Sequence, residues 1–463
     1  MRDQIRPDSF KIGNPSIDTS NFSKTIAEPQ TAWKSAFYGL VGMALGDALG
    51  YMYENCRPRE VVETWPVDGA FPSECLEVGL SWTDDTQHSL SLMEAFMCPN
   101  QYTTKSEYAP LLRAGLNYKE VLELWRVLAS KKPPTGANVE YGGFRGTGNN
   151  FRTSMYKVLD KAEDQSSYTA GNGVVMKTIP IGIAAHDSEL ATDRQRLIVM
   201  SKNIINVSKL MTHSLLAVTP AFATAYLAYL WTNPDDTIRA TNKSRDVVDL
   251  LEDINANTKL FEDMVAKDGF FMRNSWDKDL VHCFSWIVDR IITHLKGLGR
   301  DFNRDEAMVD IALFVTHEIS NTITDKPVLS FNDGLGITSA ISAVLFALFY
   351  RDKPFLGVLQ AMFYYGGDTD SVGAVLGGLL GAYNEWIDKD IMKVLIYENR
   401  LYKYFERFVN HVLERSSYSG GSISWPRPIE ESFIDIEVDV NRIISENKDR
   451  MKKPNKYKSS YYQ

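Results

Sequence analysis

Apolar positions along the chain recur mainly at helical spacing. From near Trp33, the set Trp33, Phe37, Leu40, Val41, Ala44, Leu45, Ala48 and Leu49 keeps one face apolar, while Gly39, Gly42, Gly46 and Gly50 form a second stripe without side chains. Glycine lowers helix stability, so four in one helix point to close approach by another helix or a ligand. Further helices are predicted over about 86–98, 107–130, 149–163, 173–186, 189–230, 242–266, 276–297, 303–323, 335–350, 354–365, 371–387 and 389–415. No series of alternating strands stands out, and the expected fold class is all-α. The uncharged run from Ser214 to Trp231 holds Thr219, Pro220 and Thr224. It is barely long enough to span a bilayer and reads as a buried helix of a large soluble protein, so no membrane span is expected.

The polar stretch 1–30 lacks periodicity and is expected to be a mobile arm. The body then runs over 31–415, with a more charged, less motif-like insertion at about 232–330. From Ser416 onward Ser, Gly and Pro loosen the chain, and 416–463 is expected to be a loose tail with a basic, aromatic end. With 463 residues, the chain can bury a large core. A net charge of −9 argues against a general nucleic-acid binder, which needs a positive field. Cys56, Cys75, Cys98 and Cys283 show no CxxC pattern, which fits a reducing compartment. The first residues have no apolar run resembling a secretory signal, so a cytoplasmic location is expected, with a non-classical route of secretion left open.

Two acidic blocks carry the chemistry. Trp82-Thr83-Asp84-Asp85-Thr86 and Gly366-Gly367-Asp368-Thr369-Asp370-Ser371 each set two carboxylates beside hydroxyls at the start of a predicted helix. Taken singly, each has a plain alternative, with Thr83 or Ser371 capping the helix and the acids favouring its positive end. Capping does not explain Gly366-Gly367, which frees the backbone to turn sharply and approach a ligand. Four crowded carboxylates repel unless cations or protons intervene, and all-oxygen donors suit Mg²⁺ or Mn²⁺.

With these blocks in place, the chain resembles the ADP-ribosylglycohydrolase family, of the dinitrogenase-reductase-activating glycohydrolase type. Gly39-Leu40-Val41-Gly42-Met43-Ala44-Leu45-Gly46-Asp47-Ala48-Leu49-Gly50, the two acidic blocks, Gly171-Asn172-Gly173-Val174-Val175-Met176 and Thr212-His213-Ser214 match in the family's order. The resemblance implies a compact orthogonal multi-helix bundle with a two-metal centre, two Mg²⁺ or Mn²⁺, below an ADP-ribose cleft. It implies Thr83, Asp84, Asp85, Asp368, Asp370 and Ser371 as metal ligands. Glu54 matches an acidic position that serves some members as a catalytic or metal-linked carboxylate; alone it would read as a surface acid. Asn172 and Gly173 match a loop that holds ribose and diphosphate, or form an Asn-Gly turn. His213 would lie near the ribose or phosphate, or be structural. Gly367, and Gly146 and Gly148 in the loop 143–150, are further substrate-binding candidates, the last two equally a plain loop. Lys177 stands where many relatives have Arg, a change that keeps the charge.

The expected activity is hydrolysis of the C1″ glycosidic bond of ADP-ribose on a protein side chain, arginine first and serine next. Glu54, Asp84 and Asp85 are the candidates for proton transfer, Glu54 slightly preferred because a metal-bound carboxylate is a poor acid. The expected partner is an ADP-ribosylated protein or an ADP-ribose-containing small molecule, bound by a monomer. The rival classes are a non-catalytic ADP-ribose-binding or structural protein of the same fold, a hydrolase of a free ADP-ribose derivative, and a different two-metal hydrolase such as a phosphatase.

Overall fold

Glycine sets the architecture. The computed structural model describes residues 12–20, 22, 25–97, 169–187, 190, 192–273, 277–299, 302–323, 328, 330–396, 398–413 and 433–447. Its described helices are α1 (Lys34–Tyr51), α2 (Pro58–Thr64), α3 (Asp84–Met97), α4 (Thr178–Ala184), α5 (Asp193–Lys209), α6 (Leu215–Trp231), α7 (Asp236–Ser244), α8 (Val247–Val265), α9 (Asp277–Leu280), α10 (Cys283–Leu298), α11 (Arg304–Glu318), α12 (Gly336–Tyr350), α13 (Phe355–Phe363), α14 (Thr369–Asn384), α15 (Lys389–Met392), α16 (Glu398–Leu413) and α17 (Phe433–Glu446). Among the described residues the only β pairing is isolated bridges, at Ser16–Ala70, Leu80–Leu395 and Gly171–Leu335. The fold is all-α, as the periodicity predicts.

Helix α1 is buried on every side from Ser35 to Gly50. Its glycine stripe lies on that of α14. A Cβ on Gly42 would stand 2.1 Å from Gly377 O, on Gly46 1.9 Å from Gly373 O, and on Gly50 2.2 Å from Thr369 O. The partners step by about four residues in opposite directions, so the two helices run antiparallel with their backbones touching. The close approach that the stripe foretells is therefore made by another helix. It also brings the end of α1 to the start of α14, where Thr369 Oγ1 donates to Gly50 O at 2.7 Å.

Helix α6 is buried along its whole length and packs on α4, α8 and α12. No described helix is long and apolar enough to cross a membrane. The charged insertion joins this core through α8, where Phe261 stacks on Phe222 of α6 at 4.8 Å.

Some expectations change. The single helix predicted over 189–230 is two, because the chain turns between Lys209 and Leu215, with Thr212 Oγ1 donating to Thr169 O at 2.9 Å and accepting from Ser214 N. No Gly or Pro marks this break. Where it is described, the stretch expected as a mobile arm is laid on the body: Ser16 N donates to Gly69 O, Phe71 N to Ser16 O, and Ile26 is buried. The tail expected to be loose contains α17, whose Ile436 and Val440 are buried. The Ser, Gly and Pro residues that precede α17 obscure its i, i+4 apolar spacing. The helices predicted over 107–130 and 149–163 lie outside the described residues.

The crossing predicts a contrast between two Gly→Ala variants. Gly46→Ala would drive its methyl into Gly373 O and should lower unfolding free energy by about 3 kcal/mol or more. Gly297→Ala, in α10 with nothing within 4 Å, should be neutral or stabilising by up to about 1 kcal/mol. Urea unfolding of both variants checks this.

Candidate active site

The site grows out of the two ends joined by the glycine crossing. One turn before the end of α1, Asp47 is fully buried. Its carboxylate accepts from Thr83 N at 3.0 Å and Thr86 N at 2.9 Å. The hydroxyls of Thr83 and Thr86 also reach it, at 2.7 and 2.6 Å. These amides open α3, where a helix has no donors' partners of its own. Asp47 thus supplies from a second helix the cap expected of Thr83, and pins the first acidic block to α1. The Thr83 hydroxyl instead lies between Asp47 and Asp85, 3.0 Å from Asp85 Oδ2.

The second block is shaped by its glycines. Gly366 and Gly367 both have positive φ, 65° and 84°. A Cβ on Gly367 would meet Asn332 O at 2.5 Å. Gly367 O accepts from Asn55 N at 2.8 Å, and Asn55 is itself left-handed. This fixes the Glu54-Asn55 turn against the block. Asp368, not Ser371, occupies the N-cap position of α14, yet its side chain caps nothing. Its Oδ2 instead accepts from Asn172 Nδ2 at 3.1 Å, and the same amide nitrogen lies 3.0 Å from Ser339 Oγ.

Asn172 is held by a segment that the sequence reading passes over. Asn172 N donates to Gly334 O at 3.0 Å, Gly336 N to Ala170 O at 2.8 Å, and Asp368 N to Asn332 O at 2.7 Å. A Cβ on Gly334 would stand 2.8 Å from Asp368 Oδ2. Residues 330–336 therefore join Asn172 to the second block. Their Asn-Asp-Gly turn chemistry is the available signal, and Asp47, the one acid on α1 and set among its apolar and glycine positions, is the signal for the anchor.

Burial, then the Asp47 charge, pushes the Asp84 carboxyl up to about 8. Asp85 is raised well above the ordinary range by burial and by Asp47, Asp84 and Asp368. Asp370 is raised likewise by burial and by Glu54, Asp368 and Asp85. Asp47 is pushed up to about 6 by burial, against the threonine hydrogen bonds. Acids from α1, α3, the turn after α1 and α14 thus feel one another in one region, where Asp47, Asp85 and Asp370 are buried and Glu54, Asp84 and Asp368 half-buried. Burial lowers Lys177 to about 7, opposed by Asp84 and Asp85. Lys177 Nζ lies 3.2 Å from Met211 Sδ.

Gathered acids of this kind need protons or cations. Asp85 Oδ1 is buried without a hydrogen-bond partner, and the nearby donors are carboxylate and hydroxyl oxygens, which fits Mg²⁺ or Mn²⁺. The acids are not yet set as a coordination shell. Among the described residues no three Asp, Glu, His or Cys side chains converge in cation-binding geometry. Asp85 Oδ2 faces Thr83, and Asp368 Oδ2 faces Asn172.

Gly173 is open on one side, its nearest neighbour Met211 Cε at 3.5 Å from a built Cβ. His213, two residues on from Met211, meets the ring of Phe270 edge-on at 6.3 Å, a residue of the insertion. Gly146 and Gly148 lie outside the described residues.

A family model for ADP-ribosylglycohydrolases matches residues 29–418, and the chain belongs to that family. Membership supports hydrolase activity of the ADP-ribosylglycohydrolase type, and the family acts on ADP-ribosylated substrates. No curated protein matches in sequence. A solved structure described as an ADP-ribosylglycohydrolase-related protein complex is similar at 17% identity and TM-score 0.44, covering 82% of this chain and 98% of that one.

The raised carboxyls predict a pH effect on metal-free protein. Asp47 and Asp84 hold protons more tightly folded than unfolded, so the stability they contribute is present near pH 4 and lost as pH rises toward about 6 and 8. The melting temperature in EDTA should fall from pH 5 to 7, and saturating Mg²⁺ should raise it increasingly over the same range. A flat EDTA profile with no Mg²⁺ effect would contradict this.

Proposed function

We propose that this ADP-ribosylglycohydrolase-family chain is a metal-dependent hydrolase that frees ADP-ribose from modified protein side chains, with arginine favoured and serine next. The observation that supports the proposal is that acids of the two blocks raise one another's proton affinity, Asp368 that of Asp85 and Asp85 and Glu54 that of Asp370, and that Asp85 Oδ1 is buried without a hydrogen-bond partner.

Thr83, Asp84, Asp85, Asp368, Asp370 and Ser371 would hold two Mg²⁺ or Mn²⁺. When bound, such ions polarise a water and the vicinal ribose hydroxyls and offset charge at the reacting centre. The remaining work belongs to the chain. The C1″–N bond of an arginine adduct, or the C1″–O bond of a serine adduct, breaks while water oxygen bonds to C1″. A carboxylate takes the water proton, and the leaving nitrogen or oxygen regains one. Glu54 suits this role because it stands outside the ligand set, on a turn tied to Gly367. Asn172, with its amide already oriented by Asp368 and Ser339, would hold the ribose. Gly173 leaves room beside Asn172 for a phosphate, and His213 would close that side.

The test is ADP-ribose release from matched arginine- and serine-modified proteins, with Mg²⁺ and with EDTA. Wild type should release it from one substrate with Mg²⁺ only, and Asp368→Ala should be slower by about 100-fold or more. ADP-ribose binding with no release from either would make the protein a binder rather than a hydrolase of these linkages. Glu54→Gln should lower kcat by about 100-fold with Mg²⁺ affinity retained, measured by titration calorimetry. A fall in metal affinity instead would make Glu54 a ligand.

A further inference from the structure

Helix α17 lies beyond the matched family region, which ends at residue 418. Its inward face carries Ile436 and Val440, and between them Glu437, all fully buried. Glu437 Oε1 accepts from Trp82 Nε1 at 2.6 Å, and Oε2 accepts from Gln87 Nε2 at 2.5 Å. Trp82 directly precedes Thr83, and Gln87 lies one turn later, its N–H donating to Thr83 O at 3.2 Å. One carboxylate therefore clasps the residues on either side of Thr83-Asp84-Asp85-Thr86. Asp47 of α1 grips the two threonines within that block. Toward solvent, Asp439 pairs α17 with Arg400 of α16.

A helix that only covered apolar surface would need Ile436 and Val440, not a buried acid. Burying a carboxyl group is costly unless it is hydrogen-bonded, and two bonds to one side chain fix its direction. Their effect falls on the start of α3, where Asp84 and Asp85 project.

We propose that Glu437 is a positioning residue, through which α17 latches the first acidic block and holds Asp84 and Asp85 in working orientation. The consequence for catalysis rests on the hydrolase reading above; the latch itself does not. Glu437→Ala removes both bonds. Glu437→Gln keeps an oxygen for Trp82, and its amide can donate to the Gln87 oxygen once Gln87 turns over, so both links survive.

The experiment is hydrogen exchange on the full chain, metal-free, alongside ADP-ribose release with Mg²⁺. Glu437→Ala should speed exchange over residues 83–91 by about tenfold while α14 is unchanged, and lower kcat by about tenfold with KM within about twofold. Glu437→Gln should restore most of both. Unchanged exchange over 83–91 in Glu437→Ala would overturn the latch, as would a Glu437→Gln protein impaired as much as Glu437→Ala. If Glu437→Ala does not fold, Trp82→Phe removes one bond from the other side and should show the same local change, smaller; no change there would also overturn it. A wild type that releases no ADP-ribose would sink the hydrolase reading, while exchange still decides the latch.

Discussion

Backbone contact between α1 and α14 is the constraint on which the rest depends. Side chains at Gly42, Gly46, Gly373 or Gly377 would force the helices apart, because each built Cβ falls within 2.4 Å of an opposing carbonyl oxygen. The antiparallel register then leaves no choice about what meets at the end of the crossing. Asp47, Gly50 and the Glu54 turn come from one side, and Asp368 to Ser371 from the other. Acids distant in sequence are placed by the least reactive residues in the chain.

Electrostatics works against that arrangement. Carboxylates gathered in a buried region raise one another's proton affinity, and burial adds to it. The fold tolerates this because other interactions over-determine the positions: four donors on Asp47, two on Glu437, and the Asn172 amide on Asp368. A bound divalent cation would relieve strain of this kind, so the same charge density that works against the free protein would favour the loaded one.

Much of this is legible in the sequence, for physical reasons. Glycine stripes have few explanations, and Gly366-Gly367 announces a turn that only left-handed backbone makes. Periodicity finds helices wherever one face is apolar. What escapes is whatever depends on distant partners. Asp47 and Glu437 look like ordinary acids until the helices that they serve are packed against them. The 330–336 segment has no periodicity, and its role comes from backbone bonds to Asn172 and Asp368. The break at 210–214 comes from a threonine hydroxyl rather than a helix breaker. Lys177 keeps the charge type of arginine, but burial moves its titration into the neutral range, which residue type alone does not convey.

We propose that the two acidic blocks form one cation centre. Anomalous diffraction from crystals soaked in Mn²⁺ tests it most directly. Manganese peaks bounded by Thr83, Asp84, Asp85, Asp368, Asp370 and Ser371 are expected, and should be lost in Asp368→Ala. Saturating Mn²⁺ with no peak among these residues would contradict it.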